Sequence, residues 1–215
     1  MNRFDAVLFD LDGTLLYTLP DIHGAVNAAL TECGYPGQTL EMTRGYVGDG
    51  SRKLIERSLP AGTDPGEVTR VLAAYRACYN KNLIVDTAPY PGMPETLNAL
   101  RNRGVAMACV TNKFHESAVH IIRRFFPECI PIVEGNIDGR PTKPAPDAAL
   151  AAMAALGVTR ERTLFVGDSG VDADTAKNTG LECVLCDWGY WDRSRLEGYD
   201  VLGIIRRPEQ LIDYI

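Results

Sequence analysis

The chain has 215 residues, 46% of them hydrophobic and 23% charged, a balance that suits a folded protein with a substantial core in one large or two unequal domains. A formal net charge of −6 at pH 7 excludes the basic excess of nucleic-acid and anionic-membrane surfaces, so a small anionic ligand must be met by local positive charge. No run approaches the ~18 apolar residues of a membrane span, and the opening Met1-Asn2-Arg3-Phe4-Asp5 does not lead into a secretory signal; the expectation is a cytoplasmic protein that binds neither membrane nor nucleic acid.

Residues 6–9 form a short apolar run ending on Asp10, the pattern of a strand buried on both faces. In Phe9-Asp10-Leu11-Asp12-Gly13-Thr14 two carboxylates stand two apart where that strand opens into a turn. Gly13 permits close backbone approach or a positive φ, and Thr14 adds a hydroxyl. Neighbouring carboxylates repel unless a cation compensates, and the hard cation Mg²⁺ takes carboxylate and carbonyl oxygens.

From about residue 16 to residue 86 the pattern is helical with little convincing strand. The candidates are 20–32, 41–47, 51–59 and 66–83, divided by the breakers Gly34-Tyr35-Pro36-Gly37 and Pro60-Ala61-Gly62. The stretch reads as an insertion that leaves the first strand after the acidic turn and returns near Tyr90-Pro91-Gly92. It would hang over the end of the sheet where ligands bind. Its segment Gly48-Asp49-Gly50, followed by Arg52 and Lys53, offers flexible backbone and positive charge for a substrate. Arg52 is the candidate contact, although the sequence leaves open which of the two cations faces inward.

Beyond the insertion strand and helix alternate. A helix pattern at 94–103 precedes an apolar run at 105–110 that ends on Thr111-Asn112. Thr142-Lys143-Pro144 opens a helix over 145–156, with Gly157 as its C-cap. An apolar run at 164–166 leads into Gly167-Asp168-Ser169-Gly170-Val171-Asp172, and a last one at 183–186 ends before Asp187. Such alternation predicts a parallel α/β sheet with helices on both faces, binding ligands outside the carboxyl ends of its strands. Asp168 and Asp172 then reach a metal from a second strand end, while Thr111 and Lys143 neutralise the oxygens of a transferring phosphoryl group. Six scattered cysteines read as core thiols. Cys183 and Cys186, three apart on a strand, point to opposite faces and neither chelate one metal nor pair easily.

The four segments Asp-x-Asp-Gly-Thr, Thr-Asn, Lys-Pro and Gly-Asp-Ser-x-x-Asp, in this order, resemble the motifs of the haloacid dehalogenase-like superfamily in its phosphatase branch. The insertion resembles the cap of the subfamily that contains phosphoglycolate phosphatases. Leu19-Pro20-Asp21, Pro91-Gly92-Met93 and Trp188-Gly189-Tyr190 are similar to that subfamily too, whereas Tyr17-Thr18 replaces its usual Asp-Ser.

The resemblance implies a Rossmann-like core over residues 1–15 and 87–215 with a helical cap over 16–86. It implies a phosphomonoester hydrolase that acts on a small phosphorylated metabolite through a phosphoaspartyl intermediate. Asp10 is then the nucleophile, and Asp12 the acid and base. Mg²⁺ sits on the Asp10 carboxylate, the Asp12 carbonyl and Asp168, with Asp172 close by. Thr111, Asn112 and Lys143 meet the substrate, and Lys143 also orients Asp10. A phosphosugar mutase, a pyrophosphatase or another sugar-phosphate phosphatase on the same scaffold are the alternatives, and the chain is expected to be a monomer or a homodimer.

Overall fold

A computed structural model describes residues 2–215. In chain order the elements are β1 (Ala6–Phe9), β2 (Leu16–Tyr17), α1 (Leu19–Glu32), α2 (Leu40–Tyr46), α3 (Ser51–Ser58), α4 (Pro65–Lys81), β3 (Ala88–Pro89), α5 (Met93–Asn102), β4 (Ala106–Phe114), α6 (His115–Phe125), β5 (Ile132–Asn136), α7 (Asp147–Leu156), β6 (Thr163–Gly167), α8 (Gly170–Thr179), β7 (Glu182–Cys186), α9 (Arg193–Leu196) and β8 (Gly203–Ile205).

Six strands form one parallel sheet in the order β5-β4-β1-β6-β7-β8. β1 lies at its centre, with Phe9 level with Cys109 of β4 on one side and Val166 of β6 on the other. The chain runs outward through β4 and β5, returns to the far side of β1 at β6 and runs outward again. Strand order therefore reverses around the carboxyl end of β1, the crevice where such sheets bind ligands.

The two-residue period of a strand divides the sheet's side chains between two cores. Val7 and Phe9 pack with Met107, Cys109 and Val166 under α5 and α6. Leu8 packs with Ala108, Val110 and Phe165 under α7 and α8. Cys183 falls in the second cluster and Cys186 in the first, so the two thiols lie on opposite faces as their spacing predicts, and both are free.

Helices α1, α3 and α4 bury a third apolar cluster of their own, including Val26, Ile55, Val71 and Tyr79. They leave and rejoin the sheet through the antiparallel pair β2–β3, where Leu16 faces Pro89 and Tyr17 faces Ala88. This two-residue pair escapes the sequence pattern because it is too short to show a period. Two strands of the main sheet also lie outside the sequence expectation. β5 is only half-buried along most of its length and β8 has three residues, so neither carries the continuous apolar run that marks the central strands. The strand expected at 105–110 is longer than its apolar run: β4 continues to Phe114 through an irregularity in its pairing with β5 after Val110. No helix among the described residues is long and apolar enough to cross a membrane.

Candidate active site

Asp10 follows β1 directly, and its backbone N–H donates to the Val166 carbonyl at 2.9 Å, which carries the strand's pairing one residue beyond its end. Its carboxylate Oδ1 accepts a 2.8 Å bond from Lys143 Nζ, and the same ammonium donates to Asp172 Oδ1 at 2.7 Å. Lys143 is buried between these two acids. Burial alone would discharge a lysine, but the two carboxylates outweigh it and hold the ammonium above its ordinary pKa.

Asp172 is positioned by its own helix. Its Oδ2 accepts from the N–H groups of Asp168 and Ser169 and from the Ser169 hydroxyl, the last at 2.6 Å. Ser169, not Asp168, is the N-cap of α8, which leaves Asp168 free for the site. Asp168 accepts from the Tyr190 N–H at 2.7 Å and from the Thr14 hydroxyl at 3.4 Å, with no cation among its hydrogen-bond partners. Packing around it is close. A Cβ at Gly13, where φ is +91°, would stand 2.3 Å from Asp168 Oδ2, and one at Gly167 would stand 2.2 Å from the Asp172 carboxyl carbon. Glycine is required at both for these acids to approach the β1 turn.

Asp10, Asp168 and Asp172 each present a carboxylate oxygen within 4.8 Å of the others, and all three are buried. Burial pushes Asp10 up to about 7, with Lys143 pulling the other way and the Asp172 charge adding to the rise. Burial raises Asp168 far above the ordinary carboxylate range, and the charges of Asp172 and Asp10 raise it further. With Asp12, four carboxylates face two ammonium groups, Lys143 and Lys113. An all-oxygen donor set with surplus negative charge fits a hard divalent cation.

Asp12 turns away from that cluster. Its Oδ1 accepts from Thr18 Oγ1 at 2.6 Å, and Lys113 Nζ donates to its two oxygens at 2.8 and 3.1 Å. Thr18 Oγ1 also lies 2.8 Å from the Tyr190 hydroxyl, which accepts from the Thr18 N–H. Tyr190 thereby touches both Asp168, through its backbone, and the Asp12 support.

Thr111 lines the cavity above Asp10 together with Asn112. The Asn112 amide spans three segments: it donates to the Lys143 and Gly48 carbonyls, both at 3.0 Å, and accepts from the Lys143 N–H at 2.7 Å. Asn112 thus holds the Lys143 backbone and the loop before α3 together. Arg52, expected to meet the substrate, is not brought to the site. It donates to Thr69 at 3.2 Å, lies 3.8 Å from Glu56, and its side chain is 52% exposed. Lys53 is likewise turned outward to Glu56. Their rotation around α3 points them to solvent, while Ser51 and Leu54 face the cavity.

Sequence reasoning missed Lys113, Thr18 and Tyr190. The Lys113 signal was its place next to Thr111-Asn112 at a strand end. Thr18 lies six residues from Asp12 but its other partner, Tyr190, is 172 positions away, and no local periodicity marks either.

A family model described as haloacid dehalogenase-like hydrolase matches residues 4–180. The chain is 38% identical to a phosphoglycolate phosphatase of Pseudomonas putida over 86% of its own length and 70% of that protein's. It is 38% identical to one from Nitrosospira multiformis, covering 86% of this chain and 84% of the relative. A crystal structure of a predicted phosphoglycolate phosphatase from Haemophilus somnus superposes with a TM-score of 0.91 at 26% identity, covering 99% of this chain and 98% of that one.

Proposed function

The chain belongs to the haloacid dehalogenase-like hydrolases, and from that premise we propose that it is a phosphatase that hydrolyses a small phosphomonoester, phosphoglycolate or a close analogue, with Mg²⁺. The observation that carries the reading is the placement of Asp10: a carboxylate at the centre of the sheet's switch point, held through one oxygen by Lys143, with its other oxygen left to attack.

In this reading an Asp10 oxygen bonds to phosphorus as the bond from phosphorus to the leaving oxygen breaks, and Asp12 supplies that oxygen with a proton. Water then attacks the phosphoaspartyl group while Asp12 takes its proton, phosphate departs, and the Asp10 carboxylate is restored. Lys143 fixes the attacking group and offsets the charge of Asp172 beside it. The Thr111 hydroxyl is available to a phosphoryl oxygen. Asp10, Asp168, Asp172 and the Asp12 carbonyl would hold Mg²⁺, which supplies charge neutralisation on the transferring group.

The cavity that Asp10 and Asp12 line has a volume of about 50 Å³, room for a small leaving group. The test is phosphate release from 2-phosphoglycolate and a panel of small phosphomonoesters, with Mg²⁺ and then with excess chelator. Release that requires the metal is expected, and no release from any ester in the presence of metal would reject the reading.

A further inference from the structure

One buried cation stands outside the phosphoryl-transfer machinery just described. Lys113 has a side chain only 5% exposed, its ammonium lies on Asp12 and 4.6 Å from the centre of the Tyr79 ring, and it lines the same cavity as Asp10 and Asp12. The remaining cavity wall is largely apolar, with Ile22, Leu54, Tyr75 and Phe114 among its residues. Among the described residues that line the cavity Lys113 is the one cation. The basic residues of the α2–α3 region are engaged elsewhere: Arg44 with Asp192, Arg52 with Thr69 and Arg57 with Asp49.

An ester with its phosphorus at Asp10 and its bridging oxygen at Asp12 has the rest of its leaving group among these walls. A neutral leaving group needs nothing more. An anionic one would sit next to Asp12 with no counter-charge other than Lys113, an arrangement that desolvation makes costly unless that cation turns to it. One further feature favours an anion there: the N-terminus of α3 meets the cavity at Gly50 and Ser51 with no side chain capping it, which adds the positive end of a helix dipole.

We propose that Lys113 is the specificity residue of this site, and that it recognises a carboxylate on the leaving group by giving up at least one of its bonds to Asp12. The assignment rests on the phosphatase reading above and narrows the substrate class to short phosphorylated hydroxy acids.

The experiment compares 2-phosphoglycolate with 2-hydroxyethyl phosphate, which is similar in size and lacks the carboxylate, in the unaltered enzyme, Lys113→Met and Lys113→Arg. Methionine keeps the apolar stem and removes the charge. The ratio of kcat/KM for the acidic ester to that for the neutral one is expected to fall by about tenfold or more in Lys113→Met, the scale of a hydrogen bond between charged groups, and to be largely kept in Lys113→Arg. Losses within about threefold of each other on the two esters, or no loss on either, overturn the assignment while leaving the phosphatase reading intact. Absence of phosphate release from 2-phosphoglycolate in the unaltered enzyme overturns the assignment, and absence from the whole panel of esters overturns the phosphatase reading with it. If Lys113→Met turns over neither ester, calorimetric Kd values for the two decide: selective weakening of 2-phosphoglycolate supports the assignment, and an unchanged affinity ratio overturns it.

Discussion

Asp10 and Asp12 are separated by one residue, yet different lysines hold them: Lys143 binds Asp10 and Lys113 binds Asp12. Side chains two apart would share a face on a regular strand, but the chain has left β1 and turned at Gly13, where φ is +91°. The turn sends one carboxylate to the acidic cluster and the other to the cavity wall. Asp10→Asn keeps shape and removes the nucleophile, so we expect a folded protein whose phosphate release falls on the order of 10³-fold or more; undiminished release would sink the proposed chemistry. Asp12→Asn removes the proton transfers, worth about 10²–10⁴ in rate, and wild-type turnover in that variant would reject the acid and base role. Thr18, which links Asp12 to Tyr190, provides a subtler test. Thr18→Val leaves the Tyr190 hydroxyl and the Asp12 oxygen each short of a partner, and a loss of about 1–3 kcal/mol in stability is expected together with lower kcat. Thr18→Ser restores the hydroxyl and should recover both in thermal melts and steady-state assays.

At the scale of elements, the helices of the insertion are readable from their patterns: the segment expected at 20–32 is α1 (Leu19–Glu32), and that at 66–83 is α4 (Pro65–Lys81). Apolar periodicity and the flanking Gly and Pro breakers mark them because each buries one face in a shared cluster. What ties them to the sheet is not periodic. Asp21, in the first turn of α1, accepts bonds from the N–H groups of Val85, Asp86 and Thr87 at 2.9–3.0 Å and from the Thr87 hydroxyl at 2.6 Å. The outgoing helix thus holds the returning strand close to where the insertion begins and ends. Burial opposes ionisation of Asp21, but these hydrogen bonds outweigh it and hold the carboxyl below its ordinary pKa. A lowered folded-state value means that the contribution is complete above the unfolded pKa, about 3.9, and is lost as pH falls through the folded value. Asp21→Asn would turn an amide donor toward backbone donors. At pH 7 a loss of about 1–3 kcal/mol is expected, and the gap in Tm between variant and wild type should narrow below about pH 4. A gap that stays constant into acid would show that the charge of Asp21 is not what secures the connection.

Across the whole molecule, the site exists only because β1, β4 and β6 lie side by side and end at one crevice. Four carboxylates collected there against two lysines destabilise the metal-free protein and favour a bound divalent cation. Mg²⁺ at about a hundred times its Kd should therefore stabilise the wild type by about 2.7 kcal/mol. Asp168→Asn, which can keep the bond from Tyr190, is expected to gain nothing from Mg²⁺. Thermal melts with and without chelator check both, and a variant that still gains stability from Mg²⁺ would remove Asp168 from the metal site. The sequence by itself marked Asp10, Asp12, Thr111, Lys143, Asp168 and Asp172 as candidates, since each stands where an apolar run breaks or a helix begins, and it determined the α/β alternation through local periodicity. Only the tertiary structure decided which charges meet. Lys143 reaches Asp10 across 133 positions, and Lys113 reaches Asp12 across 101. On α3, Leu54 faces the cavity while Arg52 faces solvent. Successive helical residues rotate by about 100°, and no short segment records the register of strands that pair across most of the chain, so the partner of a charge is set by packing that local pattern does not contain.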